Sequence, residues 1–367
     1  MTGAGEQVDT VVIGGSQSGL AVGYHLAQQD RDFVILDAYH RVGDAWRRRW
    51  DSLRLFTTAR YDGLPGMAFP AARHVYPTKD QVADYLETYA ERFHLPVETG
   101  VRVDRLSRRG ESFEVSAGDR TYTAADVVVA TGTYHTPRIP DFAEQLDPAI
   151  VQLHSSAYRN PSQLANGGVL VVGAANSGAE IAVEVSKTHP TWLSGRDPGQ
   201  EPTRAGSVPD RVLMPFIWFL ASRVLTVGSP IGRKVRDEFL DPPRGIPRGR
   251  VGRRDIAAAG IEWVPRTAGV RDGSPTLDDG TILQVANVVW CTGFVMDLSW
   301  IDLPVTGAYG FPVQDRGVVP SQPGLYFIGM PFQRALSSAL LGGVGRDAAD
   351  IAGHIASGAA DHTMAAI

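Results

Sequence analysis

Two short glycine-rich segments carry the residue types and spacing that bear on chemistry in this chain. They are Gly14-Gly15-Ser16-Gln17-Ser18-Gly19 and Gly173-Ala174-Ala175-Asn176-Ser177-Gly178. Each has the form of a tight turn opening a helix, whose first backbone N–H groups can face a pyrophosphate. Side chains offer little chemistry of their own. No nucleophilic triad, carboxylate pair or metal cluster is legible, and no catalytic residue is assigned. Of the histidines at 74, 94, 135 and 154, only His154 is held apart from a surface or packing role. The single cysteine, Cys291, excludes a disulfide framework, a C-x-x-C redox pair and a cysteine-rich metal site.

The first turn sits between two apolar runs, Val11-Val12-Ile13 and Phe33-Val34-Ile35-Leu36, with a helical pattern from Ser18 to about Gln29. Strand, glycine turn, helix and strand within about thirty residues is the arrangement a dinucleotide-binding unit needs. Asp37 ends the second strand, where a carboxylate accepts hydrogen bonds from a free ribose, with Ala38 beside it. Ser16 replaces the middle glycine of G-x-G-x-x-G, a small departure whose hydroxyl can itself donate to phosphate.

Composition bounds the rest. With 367 residues the chain suggests about two domains; hydrophobic content of 43% and charged content of 20% are those of a globular protein. The net charge of −5 gives no reason to expect a nucleic-acid partner. No signal segment precedes the first strand, and the longest apolar stretch, 212–227, is broken by Pro215 and Arg223, so no membrane partner is expected and a cytoplasmic location is. That stretch reads as a buried or interface helix, and Ser357 to Ile367 as a fraying tail.

Beyond Asp37 lies a looped segment with Trp46 and Trp50, placed either to line a flat cofactor or to pack. Thr78 to His94 is helical, with a Thr78–Gln81 capping box. Val97 to Val129 reads as a meander returning on Asp126 to Gly132. The second half repeats the plan: strand 169–172, glycine turn, helix to about Thr188, strand at Trp192-Leu193, and a meander from Ile261 returning on Asn287 to Gly293. Thr131 follows Gly14 by 117 positions and Thr292 follows Gly173 by 119. The second unit, however, ends its second strand on Ser194-Gly195-Arg196. An arginine suits a 2′-phosphate through charge and a bidentate fork, so this unit reads as an NADP(H) site and the first as a site for a nucleotide with an unphosphorylated ribose. The alternative for Arg196 is a solvated surface position. A closing strand at Leu325 to Ile328 and a helix from about Ser338 complete the first domain.

These segments resemble the flavin-containing monooxygenase family. GGSQSG with Asp37 is similar to its FAD unit, GDAWRRRWDSLRL to its G-x-x-W…W-x-S-L segment, ATGTYHTPRIP to A-T-G-x-x-x-x-P-x-I-P, and GAANSG with Arg196 to its NADPH unit. YPTKDQVADYLETYAERF resembles YUCCA-type members; WDSLRLF and WCTGF resemble bacterial arsenic-operon members. His154-Ser155-Ser156-Ala157-Tyr158 matches the second half of F-x-G-x-x-x-H-S-x-x-Y, but Pro148 and Ile150 stand where Phe and Gly are expected, and Phe56 near an expected asparagine.

The resemblance implies an α/β fold of two Rossmann-like domains, the NADPH domain inserted into a split FAD domain. The expected spans are 1–163 and 288–358 for FAD, 164–287 for NADPH, and 359–367 for the tail. It implies FAD held by Gly14, Gly15, Ser16, Gln17, Ser18, Gly19, Asp37, Ala38, Trp46, Leu55, Phe56, Thr57, Val103, Thr131, Gly132, Gly329, Phe332 and Gln333. NADPH is held by Gly173, Ala175, Asn176, Ser177, Gly178 and Arg196, with Thr292 and Gly293 at the closing motif. The implied reaction inserts one atom of O2 into a small organic substrate through a C4a-(hydro)peroxyflavin shielded from water. The alternatives are an NADPH oxidase or NADPH:acceptor oxidoreductase that does not oxygenate, which the lost half-motif and Phe56 favour, and a non-enzymatic nucleotide sensor. The segment 201–254 either covers the flavin or forms an interface; the substrate itself and the oligomeric state are not legible.

Overall fold

A computed structural model describes residues 5–201, 206–240 and 247–365. In chain order it begins with β1 (Glu6–Ile13), α1 (Gln17–Ala27), β2 (Phe33–Asp37), α2 (Asp44–Arg47), α3 (Lys79–Arg92), β3 (Val97–Thr99), β4 (Arg105–Arg109), β5 (Ser112–Ala117) and β6 (Arg120–Val129). β7 (Thr136–Pro137) and β8 (Val151–His154) lead to β9 (Val169–Val172), α4 (Asn176–Val185) and β10 (Thr191–Ser194). Then come α5 (Val208–Phe219), α6 (Pro230–Leu240), α7 (Arg253–Ala258), β11 (Glu262–Val264), β12 (Thr267–Arg271), β13 (Ser274–Leu277), β14 (Asn287–Trp290), β15 (Phe294–Val295), β16 (Leu325–Phe327) and α8 (Val344–Ala365).

The first sheet has the order β3-β2-β1-β6-β5-β4, with β16 pairing the C-terminal half of β6. β1 is parallel to β2 and β6, whereas β4, β5 and β6 form the expected antiparallel meander. Alternation along the parallel strands feeds two cores. Val12, Ile35 and Val128 face α1, α3 and α8, while Val11, Ile13, Val34, Leu36, Val127 and Val129 face Phe113, Leu298, Ile301 and Val319. The second sheet is β11-β10-β9-β14-β8, all parallel. Its expected meander differs from the first: among the described residues β12 and β13 form a separate two-stranded sheet. β8 and β14 hydrogen-bond into this sheet from either side of the expected 164–287 span.

α3 carries the capping box: Gln81 N donates to Thr78 Oγ1 at 3.2 Å, and Thr78 N to Gln81 Oε1 at 2.9 Å. The closing helix starts later than the pattern suggests. Residues 336–339 form a 3-10 turn and α8 begins at Val344, because Gly342 and Gly343 are backbone contact points. A Cβ on either would stand 1.5 Å from Tyr61 O or 1.8 Å from Ser337 O. α8 then continues to Ala365, through most of the stretch expected to fray; residues 366–367 lie outside the described residues. Trp50 resolves toward packing, buried with Leu53 among the α4 and β9 side chains.

The segment after β10 packs on Tyr61, Tyr76 and residues 334–336. Trp218 of α5 stacks on Tyr61 at 4.9 Å, Tyr76 Oη donates to Asp210 at 2.6 Å, and Val227 N to Arg334 O at 2.9 Å. The outer stripe of α5, Val208, Val212, Phe216 and Phe219, is exposed. Residues 202–205 and 241–246 of this segment lie outside the described residues.

Candidate dinucleotide-binding sites

The first glycine turn is fixed from both flanking strands. Gly14 N donates to Leu36 O at 2.8 Å and Ala130 N to Ile13 O at 2.8 Å. The turn is tight enough that only glycine fits at its two ends: Gly14 has φ of +112°, and a Cβ on Gly19 would stand 1.9 Å from Gly14 O. α1 therefore starts against the strand end, with its first N–H groups pointing out of the turn. Asp37 is buried under it, accepting from Gly15 N at 3.1 Å and Tyr39 N at 2.9 Å. Burial raises its pKa against those two donors. Each carboxylate oxygen retains lone-pair capacity for a ligand hydroxyl.

Ser16 donates to Gln17 Oε1 at 2.6 Å, and Trp46 Nε1 donates to the same oxygen at 3.1 Å, so one hydrogen-bonded run borders the turn. A Cβ on Gly329 would meet Ser18 Oγ at 2.5 Å, with Gly132 at 4.0 Å. Residues 14–19, 37, 46, 131–132 and 329 thus converge outside the carboxyl ends of β1, β2, β6 and β16, where open α/β sheets take their ligands. Ala38 is exposed beside Asp37, and Val101 N donates to Asp37 O at 2.9 Å, which draws the 101–103 segment with Val103 alongside. Leu55 is buried in the core facing α1, and Phe56 is half-buried. Phe332 and Gln333 are buried, and the Gln333 amide is engaged within the turn, donating to Phe327 O at 2.9 Å and accepting from Met330 N at 3.4 Å.

Thr57 donates to Asp62 Oδ1 at 2.6 Å, and this acid escaped the sequence reading. Asp62 is 1% exposed, and its Oδ2 has no partner among the described residues. Burial pushes its pKa up to about 7, against the Thr57 hydroxyl. A lone aspartate in a Gly/Pro-rich loop has no periodicity to mark it.

The second turn repeats the first. Gly173 N donates to Ser194 O at 2.8 Å, and Cys291 N to Val172 O at 2.7 Å. A Cβ on Gly178 would lie 1.7 Å from Gly173 O. Ala175 caps α4, and Asn176 opens it beneath the 247–249 loop, accepting from Gly249 N at 3.1 Å and donating to Pro247 O at 3.3 Å. Arg196 is exposed just past β10. Next to it, Asp197 is ion-paired to Arg248 at 2.8 Å and Arg253 at 2.5 Å. Arg248 is 1% exposed and also donates to Ala174 O at 3.2 Å. Its Nη2 is buried without a partner among the described residues.

Between the two sites, Thr292 Oγ1 donates to Arg138 O, and Gly293 O accepts from Arg138 N at 3.0 Å and His154 Nε2 at 2.9 Å. A carbonyl only accepts, so His154 carries its proton on Nε2, and Nδ1 accepts from Ser156 N at 3.2 Å. Burial lowers its pKa, consistent with a neutral ring tying β8 to the segment between β14 and β15. Cys291 is a free cysteine whose thiol burial pushes up to about 12.

A family model described as pyridine nucleotide-disulphide oxidoreductase matches residues 11–208. An oxidoreductase named CzcO-like from Geobacillus kaustophilus is 42% identical over 346 residues, covering 93% of this chain and 96% of that one. The solved flavin-containing monooxygenase from Stenotrophomonas maltophilia superposes with a TM-score of 0.76 at 32% identity, over 96% of this chain and 99% of that one. The chain belongs to the flavin monooxygenase-like family. Rice indole-3-pyruvate monooxygenase YUCCA1 (Oryza sativa subsp. japonica) is 32% identical over 186 residues, 48% of this chain and 45% of that one, in line with the YUCCA-type likeness of the sequence. In this family setting the chain is an NAD(P)H-dependent flavoprotein oxidoreductase. Among the described residues no helix is long and apolar enough to cross a membrane.

Proposed function

We propose that this chain is an FAD- and NADPH-dependent monooxygenase that inserts one atom of O2 into a small organic substrate and reduces the other to water. NADPH supplies the two electrons. The observation that carries this reading is the pair of matched glycine turns, one backed by the buried Asp37 and the other by Arg196. The likeness to the Stenotrophomonas maltophilia monooxygenase over 96% of this chain supports it.

In this reading Gly14 to Gly19 hold the FAD pyrophosphate, Asp37 the adenosine ribose, and Trp46 and Gly329 border the cradle. Gly173 to Gly178 and Arg196 hold NADPH. The insert comprises β9 to β13 together with β8 and β14. When bound, flavin accepts hydride from nicotinamide and activates oxygen; the chain orients both nucleotides and excludes water. The α5–α6 segment, packed on Tyr61 and the 334–346 turn, is the cover such exclusion needs.

A second reading, an NADPH oxidase or NADPH:acceptor oxidoreductase, draws on Pro148 and Ile150. Ile150 N donates to Asp147 O at 2.9 Å, and the side chain packs on the β14 core, so this half-motif serves a turn. Disulfide reduction through a cysteine pair is excluded, because Cys291 is the only cysteine. The first test is anaerobic titration of the purified protein. A yellow protein whose flavin bleaches with NADPH is expected; a colourless protein that takes up no FAD contradicts the proposal and returns the nucleotide-sensor reading.

A further inference from the structure

The second nucleotide unit holds an acid where a 2′-phosphate site should have none. Asp197 directly follows Arg196, at the place where a carboxylate would attract a ribose 2′-hydroxyl and repel a phosphate. In the structure both oxygens of that acid are already bonded. Its Oδ1 accepts from Arg248 Nη1 at 2.8 Å and from Gly199 N at 2.9 Å; its Oδ2 accepts from Arg253 Nε at 2.5 Å. The two guanidiniums lie over the ring of Trp263, at 4.9 and 5.4 Å from its centroid. Arg248 is fixed further by its own backbone, which pairs with 199–201 through Arg248 N to Gly199 O at 3.1 Å and Glu201 N to Arg248 O at 3.0 Å. Burial raises the pKa of Asp197, but the Arg248, Gly199 and Arg253 donors outweigh it and hold the carboxyl at about 2. Arg196 stands outside this cluster, exposed at the strand end.

We propose that Asp197, Arg248 and Arg253 form a charge clamp that selects a 2′-phosphorylated nucleotide. The two guanidiniums compensate the carboxylate's charge and so cancel its repulsion of a 2′-phosphate, leaving Arg196 to meet that phosphate. Arg248 and Arg253 act through Asp197 as positioning residues. This inference rests on the assignment of the second turn to NADPH.

The test uses calorimetric titration of the FAD-loaded protein with 2′,5′-ADP and 5′-AMP, a readout independent of turnover. Arg253 has a side chain 71% exposed, so Arg253→Gln removes charge without opening the core. The wild type should prefer 2′,5′-ADP by roughly tenfold or more. Arg253→Gln should weaken 2′,5′-ADP several-fold and leave 5′-AMP unchanged or tighter. The double variant Asp197→Asn with Arg253→Gln should recover the 2′,5′-ADP affinity, because the repelling charge is gone. A double variant as weak as Arg253→Gln would mean that Arg253 touches the phosphate itself, and would overturn the clamp, as would an Arg253→Gln variant that binds like the wild type. A wild type that does not discriminate between the two nucleotides overturns the NADPH assignment, and the clamp with it.

Discussion

Arg196 and Asp62 represent two kinds of residue, one found by its place in a motif and one found only in the fold. Arg196 lies just past the second strand of the second unit, so its charge should matter only to a nucleotide that carries the extra phosphate. Arg196→Ala is expected to raise the Michaelis constant for NADPH by tenfold or so while moving that for NADH little; equal effects would remove Arg196 from the phosphate site. Asp62 acts through pH. A buried carboxyl whose native pKa lies above its unfolded value stabilises the fold only while protonated. Its contribution is complete below about 4 and fades as the pH rises through about 7. Asp62→Asn keeps the acceptor for Thr57 and removes the charge. Thermal melts should therefore show the variant more stable than wild type at pH 8, by up to about 4 kcal/mol, and similar to it near pH 4. A variant that melts lower at pH 8 would mean that the native acid is ionised and stabilising.

The strand–turn–helix units were legible because their signals are local: a buried apolar run, a turn that tolerates only glycine, and a helix of period 3.6. The Thr78 capping box was legible for the same reason. What escaped is held by contacts distant in sequence. The Asp197–Arg248 pair and the Tyr76–Asp210 bond join segments 51 and 134 residues apart, and neither leaves a pattern along the chain. Period likewise could not show that β12 and β13 stand apart from their sheet, since an isolated hairpin and a meander alternate alike. The two turns should be separable by equivalent substitutions. Gly19→Ala places a methyl 1.9 Å from Gly14 O, and Gly178→Ala one 1.7 Å from Gly173 O. The first should abolish FAD retention. The second should leave a yellow protein that NADPH reduces slowly and binds weakly, as read by absorbance and titration. Loss of FAD from Gly178→Ala at the level of Gly19→Ala would contradict the division of labour between the units.

At the scale of the molecule, the internal repeat carried the most information. Two turns followed at nearly equal offsets by Thr-Gly returns indicate two strand–turn–helix units, and each of the two main sheets holds one of them. The sheets also show what the repeat could not: the second one recruits β8, ahead of its own glycine turn, while the first is completed by β16 from the far end of the chain. The central claim concerns what happens once both units are filled. The direct measurement is stopped-flow absorbance on FAD-loaded protein reduced by NADPH and mixed with oxygenated buffer without substrate, with hydrogen peroxide assayed in parallel. A monooxygenase should delay the return of oxidised flavin through a species distinct from both oxidised and reduced forms, lasting seconds or longer, and peroxide should lag with it. Immediate return to oxidised flavin with stoichiometric peroxide, unaltered by amine, thioether or keto-acid substrates, would contradict it.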